Sequence, residues 1–210
     1  MRAVIFVNGV VQDNSALARR LRASDHLIAA DGGTRHCLAL GQRPHAIVGD
    51  LDSLDPALVA EMERAGVLIE RHPTAKDKTD LELAIEYAIR QGATAILLLG
   101  ALGGRLDQSL ANVLLLARAE WPIPITLAEG DEVAQVVRGG EELTLSAPVG
   151  GAVSVLALTA QVTGITYRGL AYPLDDFTLP LGSTRGVSNV VATQPATIRV
   201  GEGVLLVVQQ

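Results

Sequence analysis

The sequence predicts an α/β N-terminal domain, a mostly parallel sheet with helices on both faces, followed by an all-β C-terminal sandwich or barrel domain. Three observations carry this. Apolar strands and amphipathic helices alternate up to about residue 119, the signature of a parallel sheet covered on both sides. Beyond Trp121-Pro122 no helical period of useful length remains, and short β-rich segments follow one another between Gly, Pro and acidic turns. A chain of 210 residues, 49% hydrophobic and 19% charged, is ordered and long enough to bury a real core. The boundary is expected near residues 120–125, giving domains 1–122 and 123–210.

Residues 3–8 read as a buried strand: the opening Met1-Arg2-Ala3-Val4-Ile5-Phe6-Val7 resembles a signal peptide, but Asn8-Gly9 interrupts it and no small-residue cleavage site follows. Residues 14–23 predict a helix with Ala16, Leu17 and Leu21 on its apolar side. Leu27 to Ala30 is a second strand leading into Asp31-Gly32-Gly33, and Ala46-Ile47-Val48 is a third leading into Gly49-Asp50-Leu51-Asp52-Ser53. A helix over 56–64 has Pro56 in its first turn, where the missing N–H costs little. Val67-Leu68-Ile69 is a short strand before a polar loop at 71–78. Thr79-Asp80-Leu81-Glu82 forms a capping box, with Thr79 as N-cap, and Leu81, Ala84, Ile85, Ala88 and Ile89 supply the apolar face of the next helix. Ala95 to Leu99 is a strand, and a Gly-rich turn at 100–105 precedes a helix from about Asp107 to Ala119. In the second part, strands are expected near 123–128, 133–138, 141–145, 152–158, 161–167, 187–193, 196–200 and 203–208.

Composition narrows the function. A net charge of −6 argues against broad nucleic-acid or anionic-membrane binding, so small molecules or protein are the expected partners. No apolar run approaches the roughly 20 residues of a spanning helix. The single cysteine, Cys37, excludes an intrachain disulfide or multi-thiolate metal site and reads as a small buried hydrophobe in a reducing compartment, hence a cytoplasmic protein. The four histidines have no metal-ligand spacing, and no Gly-x-Ser-x-Gly elbow is present.

The chemistry is concentrated after the strands. If the backbone stays extended at 50–52, the side chains of Asp50 and Asp52 point the same way. Two close carboxylates repel unless a cation neutralises them, and Mg²⁺ is held by one or two carboxylates plus phosphate oxygens and water. A surface loop explains the pair equally well on local grounds. Asp31 also follows a strand, where ligands sit in open α/β sheets. Asp80 at a helix start, Lys76 and Lys78 in the preceding loop, and the turn carrying Gly103, Gly104 and Arg105 could gather at the same sheet edge. The turn lacks a Walker Gly-Lys-Ser/Thr and the dinucleotide fingerprint, but its glycines admit phosphate, the helix start favours anions and Arg105 offers a fixed charged fork. Asp107 stands where an N-cap belongs, and Gln108 and Asn112 share a helix face beside the turn. Carboxylates for Mg²⁺ and cations for phosphate are what nucleotide-dependent phosphoryl transfer needs.

In order along the chain, Asn8-Gly9, Asp31-Gly32-Gly33, Gly49-Asp50-Leu51-Asp52-Ser53, Lys76 through Ala84, and Gly100 through Asp107 together resemble the thiamine pyrophosphokinase family. Gly164-Ile165-Thr166, Gly169 through Leu174 and Gly186-Val187-Ser188-Asn189 extend the resemblance over nearly the whole chain. The resemblance implies transfer of a diphosphate from ATP to thiamine, giving thiamine diphosphate and AMP, by a homodimer with active sites between subunits. It implies Mg²⁺ on Asp50, Asp52 and Asp80 with Asp31 nearby, and catalysis by Asp50, Asp52, Asp80 and Arg105. ATP would meet Asp31, Gly32, Lys76, Lys78, Thr79, Gly103, Gly104, Arg105, Asp107 and Gln108; Gln108 stands where many bacterial members have His. Thiamine would meet Ser188 and Asn189, with Tyr172 either a further contact or a buried sandwich residue. Two other functions fit the same site: a diphosphokinase for another small alcohol such as a hydroxymethyl pterin, or a dimeric thiamine- or nucleotide-binding regulator without chemistry.

Overall fold

The computed structural model describes residues 1–118 and 121–210, so Ala119, the expected end of the last helix, lies outside the described residues. The chain forms two compact units, one spanning Met1–Leu115 and taking in residues 121–130, the other built on Asp131–Gln210.

In the first unit, β1 (Arg2–Phe6), β2 (His26–Ala30), β3 (Ala46–Gly49), β4 (Leu68–Arg71), β5 (Ala95–Leu99) and β6 (Ile125–Glu129) form a parallel sheet in the order β6-β5-β1-β2-β3-β4. Successive residues of β1, β2 and β5 are buried after the first position. A strand whose two faces are both apolar needs cover on both, which is why these segments read as continuous hydrophobic runs rather than alternating ones. The chain steps outward from β1 to β4 and then returns to the other flank of β1 with β5. That reversal opens a crevice beyond the carboxyl ends of β1 and β5, the place where open α/β sheets bind ligands.

The helices between strands are α1 (Asn14–Arg20), α2 (Thr34–Ala39), α3 (Pro56–Arg64), α4 (Asp80–Arg90) and α5 (Leu106–Leu115). Thr79 caps α4 by accepting from the Glu82 N–H at 3.2 Å, and Asp55 caps α3 ahead of Pro56 by accepting from Ala57. Leu81, Leu83, Ala84, Ile85, Tyr87 and Ala88 bury the inner face of α4, each large side chain contributing roughly 1.5–3 kcal/mol. Two boundaries depart from expectation. Helix α1 stops at Arg20 because Leu21 is already extended, and α5 starts at Leu106, which moves Asp107 from the expected N-cap into the first turn. Helix α2, with the 3-10 turn Asp31–Gly33 before it, is absent from the sequence reading because six residues after a Gly-Gly pair display too little period.

In the second unit, β7 (Glu132–Arg138), β14 (Val204–Gln209), β9 (Ala152–Ala157) and β12 (Asn189–Val190) pair antiparallel in that order. β11 (Phe177–Pro180), β10 (Gln161–Arg168), β13 (Thr197–Arg199) and β8 (Glu142–Thr144) form a second antiparallel sheet. Val153, Val155, Leu205 and Val207 from the first pack with Val162, Ile165, Leu179 and Ile198 from the second into one core, which makes a sandwich. The segment expected as a strand over 187–193 reduces to Asn189–Val190, because Ser188 takes a left-handed backbone (φ 65°) that extended pairing does not allow. β11, four residues ending in a proline, is a strand that the sequence does not predict. β6, grouped by sequence with the β-rich part, pairs in parallel with β5 in the first unit.

Cys37 is fully buried, and burial pushes its thiol up to about 12, which fits an inert hydrophobe. No helix among the described residues is long and apolar enough to cross a membrane. At the amino end of β2, the rings of His26 and His45 stack with centroids 4.6 Å apart, and His45 Nδ1 accepts the Leu27 N–H at 2.9 Å. Burial, then the neighbouring His45, lowers the His26 pKa. A base with a depressed folded pKa favours folding above its unfolded value near 6.5, and that stability is lost as pH falls through the lower folded value. Urea midpoints should therefore drop from pH 6.5 towards pH 5, and His26→Gln should flatten the drop; an equal slope in the variant excludes His26 as its source.

Candidate active site

Each acid near the crevice is delivered by a strand end or a helix start. Asp31 follows β2 in a left-handed conformation (φ 43°), is 5% exposed, and leaves Oδ1 without a hydrogen-bond partner. Asp50 and Asp52 flank Leu51, whose φ is 66°. The extended backbone expected at 50–52 is therefore wrong: a left-handed turn, with the Asp52 N–H donating to Asp50 Oδ1 at 3.3 Å, brings the two side chains round. One carboxylate oxygen from each of Asp31, Asp50 and Asp52 lies within 4.8 Å of the others. Asp80 enters from the first turn of α4. A Cβ at Gly49 would lie 3.0 Å from both Asp31 Cβ and Asp80 Oδ1, so a glycine is what lets these acids close on the end of β3. Among the described residues four non-glycine residues have positive φ, and three of them, Asp31, Leu51 and Ser188, are predicted site residues or lie between two of them. Such conformations cost roughly 1–3 kcal/mol each and persist where the surroundings impose them, commonly at functional sites.

Lys76 joins the acids. Its Nζ donates to Asp50 Oδ2 at 2.7 Å and lies 2.9 Å from Asp80 Oδ1. The second contact is an ion pair without hydrogen-bond alignment, so Asp80 Oδ1 stays buried and unsatisfied as a hydrogen-bond acceptor. The lysine hydrogen bond holds the Asp50 pKa below the usual carboxylate range, whereas burial pushes Asp80 up despite the same lysine. Burial alone would lower Lys76, but the two carboxylates of Asp50 and Asp80 against its ammonium outweigh that and raise it. The unpartnered Oδ1 of buried Asp31, together with the carboxylates of Asp50 and Asp52 within 4.8 Å of it, fits a hard divalent cation, which takes oxygen ligands of this kind.

The opposite wall is the turn after β5. The Gly9 N–H donates to Gly100 O and the Val10 N–H to Leu102 O, both at 2.8 Å, which ties the β1 loop to the Gly-rich turn. Asn112, 5% exposed on α5, donates to Ala101 O at 2.8 Å and so buttresses the turn. Arg105 is exposed and pairs with Asp107 at 2.6 Å. Asp31, Asp50, Asp52, Lys76, Lys78, Thr79, Asp80, Gly103, Gly104, Arg105 and Gln108 line one cavity of about 700 Å³, together with Asn8, Ser53, Thr74 and Asn112. Asp107 stands beside it through Arg105, and Gly32 backs onto the Asn8 side chain. Lys78 also pairs with Glu86 at 2.6 Å. Ser53 and Thr74 carry no sequence signal that separates them from ordinary loop residues.

A second cavity, about 390 Å³, lies within the sandwich unit and is lined by Tyr167, Tyr172, Pro173, Leu174, Arg185, Val187, Ser188 and Asn189. Tyr172 is 69% exposed, which removes the buried-sandwich alternative. Asn189 is buried, and its amide is engaged with the main chain: Oδ1 accepts the Tyr172 N–H at 3.1 Å and Nδ2 donates to Tyr172 O at 2.8 Å. Asn189 therefore fixes the segment that presents Tyr172. Tyr167 and Arg185 are not among the residues predicted from sequence; inward alternation along β10 marks the former, and nothing local marks the latter.

Residues 17–127 match the family model described as thiamin pyrophosphokinase, catalytic domain, and residues 142–205 the one described as thiamin pyrophosphokinase, vitamin B1 binding domain. A curated relative named thiamine pyrophosphokinase, from Bacillus subtilis, is 28% identical over 183 residues, 87% of this chain and 86% of the relative. The crystal structure of thiamine pyrophosphokinase from Bacillus subtilis superposes with a TM-score of 0.85 at 26% identity, covering 100% of this chain and 99% of that one. That of thiamin pyrophosphokinase from Geobacillus thermodenitrificans gives 0.84 at 28% identity, covering 100% and 97%.

Proposed function

The chain belongs to the thiamin pyrophosphokinase family, and from that premise we propose that it moves a diphosphate group from ATP to the hydroxyl of thiamine, releasing AMP. The observation that carries the chemistry is the cavity in which the acids after β2 and β3 and at the start of α4 face the Gly-rich turn. Asp31, Asp50, Asp52 and Asp80 would hold Mg²⁺, which supplies neutralising charge to the phosphate oxygens. Gly103, Gly104 and the start of α5 receive phosphate, with Arg105 and the lysine loop as cations. The thiamine hydroxyl oxygen attacks the β-phosphorus in line; the new O–P bond forms as the β-phosphorus–oxygen bond to the AMP portion breaks, and the hydroxyl proton is released. Positioning and charge complementarity do most of the work in transfers of this type.

The sandwich unit holds thiamine at its own cavity, where Ser188 and Tyr172 face the ligand and Asn189 keeps Tyr172 in place. The thiazolium ring is a cation, so an exposed tyrosine face suits it. Tyr172→Ala should weaken thiamine binding about tenfold, the size of one cation–π contact partly shielded from water; an unchanged dissociation constant in calorimetry removes Tyr172 from the site. The working form is a homodimer with active sites between subunits. Leu106, Leu110 and Leu114 form an exposed stripe along α5, and Tyr172, Val187 and Val190 are exposed beside the thiamine cavity, apolar surface of the kind that subunits cover. A cytoplasmic location agrees with the lone, buried cysteine. Product analysis with ATP, Mg²⁺ and thiamine tests the function directly.

A further inference from the structure

The chain contains 15 arginines and only two lysines, and both lysines, Lys76 and Lys78, lie in the loop beside the acids. Everywhere else the basic residue is a planar, broad guanidinium. An ammonium is a compact point charge that fits a hole shaped for a small cation, where an Arg fork does not. Lys76 sits in such a hole: its Nζ is 2.7 Å from Asp50 and 2.9 Å from Asp80, and its side chain is 14% exposed. Residues 73–78 form neither helix nor strand, so the side chain can leave without breaking a backbone ladder.

We propose that Lys76 is the built-in counter-cation of the carboxylate cluster, a positioning residue that keeps free divalent metal out and gives way only to metal arriving with nucleotide phosphates. The proposal rests on the reading of Asp31, Asp50, Asp52 and Asp80 as the metal–nucleotide site. Metal alone would have to share Asp50 and Asp80 with an ammonium a few ångströms away, and like charges at that distance exclude one another. A triphosphate reverses the balance. Its oxygens give Lys76 a new anionic partner across the same cavity, so metal and lysine become compatible. Metal and nucleotide binding are thereby coupled, and the coupling is reciprocal.

Lys76→Met keeps the length and loses the charge. Titrations with Mn²⁺ alone, read from the paramagnetic resonance of the free ion, should show the variant binding metal about tenfold or more tightly than the wild type, a typical coupling between sites. The affinity for Mn²⁺ with a non-hydrolysable ATP analogue should fall. A merely structural lysine cannot move the two affinities in opposite directions, and a lysine that serves only phosphate leaves the first unchanged. Equal or weaker Mn²⁺ binding by the variant overturns the proposal. Adding Asp50→Asn to Lys76→Met separates the parent reading: if metal binding survives intact there, the cluster is not the metal site.

Discussion

Asp50→Asn should lower AMP formation by roughly 10³-fold, comparable to losing a key transition-state charge contact, while the folded state stays within about 1 kcal/mol of the wild type. Asparagine keeps the shape of the side chain and removes its charge. The turn at Leu51 survives, because an amide oxygen can still accept the Asp52 N–H that Asp50 Oδ1 accepts at 3.3 Å. Lys76 retains Asp80 as a partner, so no buried ammonium is stranded. What disappears is one anionic ligand from a set of acids that converge within 4.8 Å, and with it the charge that anchors a cation against phosphate. Asp52→Asn should behave in the same way. Near-normal AMP formation in either variant, in protein with an unchanged circular dichroism spectrum, would sink the metal role of this turn.

The second large effect concerns the frame. Gly9→Ala places a Cβ 2.1 Å from Leu102 O and 2.6 Å from Gly100 O. Both obstacles are main-chain carbonyls, so no rotamer change relieves them, and both accept hydrogen bonds that tie the β1 loop to the Gly-rich turn. The β1 loop must lift away from the Gly-rich turn. A loss of about 3 kcal/mol or more is expected, at the upper end for overpacking a tight site. KM for ATP should rise with it, because the turn that receives phosphate loses its support. Urea denaturation reads the first effect and initial rates the second; stability within about 0.5 kcal/mol of wild type, the range of an ordinary surface change, contradicts the close approach.

These two sites also mark how far sequence reaches. The Thr79 cap, the continuous apolar strands and the Gly-rich turn before α5 declare themselves locally, because caps, period and glycine each report short-range physics. So does the presence of acids after β2 and β3. Their convergence does not: it depends on left-handed backbone at Asp31 and Leu51, which neither residue type announces, and on a glycine at 49 that admits Asp80. Lys76 reads as a loop cation for phosphate, and its pairing with Asp50 and Asp80 shows only once the end of β3 and the start of α4 come together around it. Asn189 reads as a ligand contact and does line the sandwich cavity, but its amide's hold on the Tyr172 main chain, a partner 17 positions away, has no local signal. β6 looks like part of the β-rich half because strand propensity says nothing about the partner a strand will take. The substrate itself came from the ordered set of motifs, which spacing alone could not have named.

The most direct measurement is product identification after incubating the purified protein with Mg²⁺, ATP and thiamine. Diphosphate transfer yields thiamine diphosphate and AMP in equal amounts, with formation of both abolished by omitting thiamine. Thiamine monophosphate with ADP, or no thiamine-dependent AMP from folded protein that binds both substrates, contradicts it.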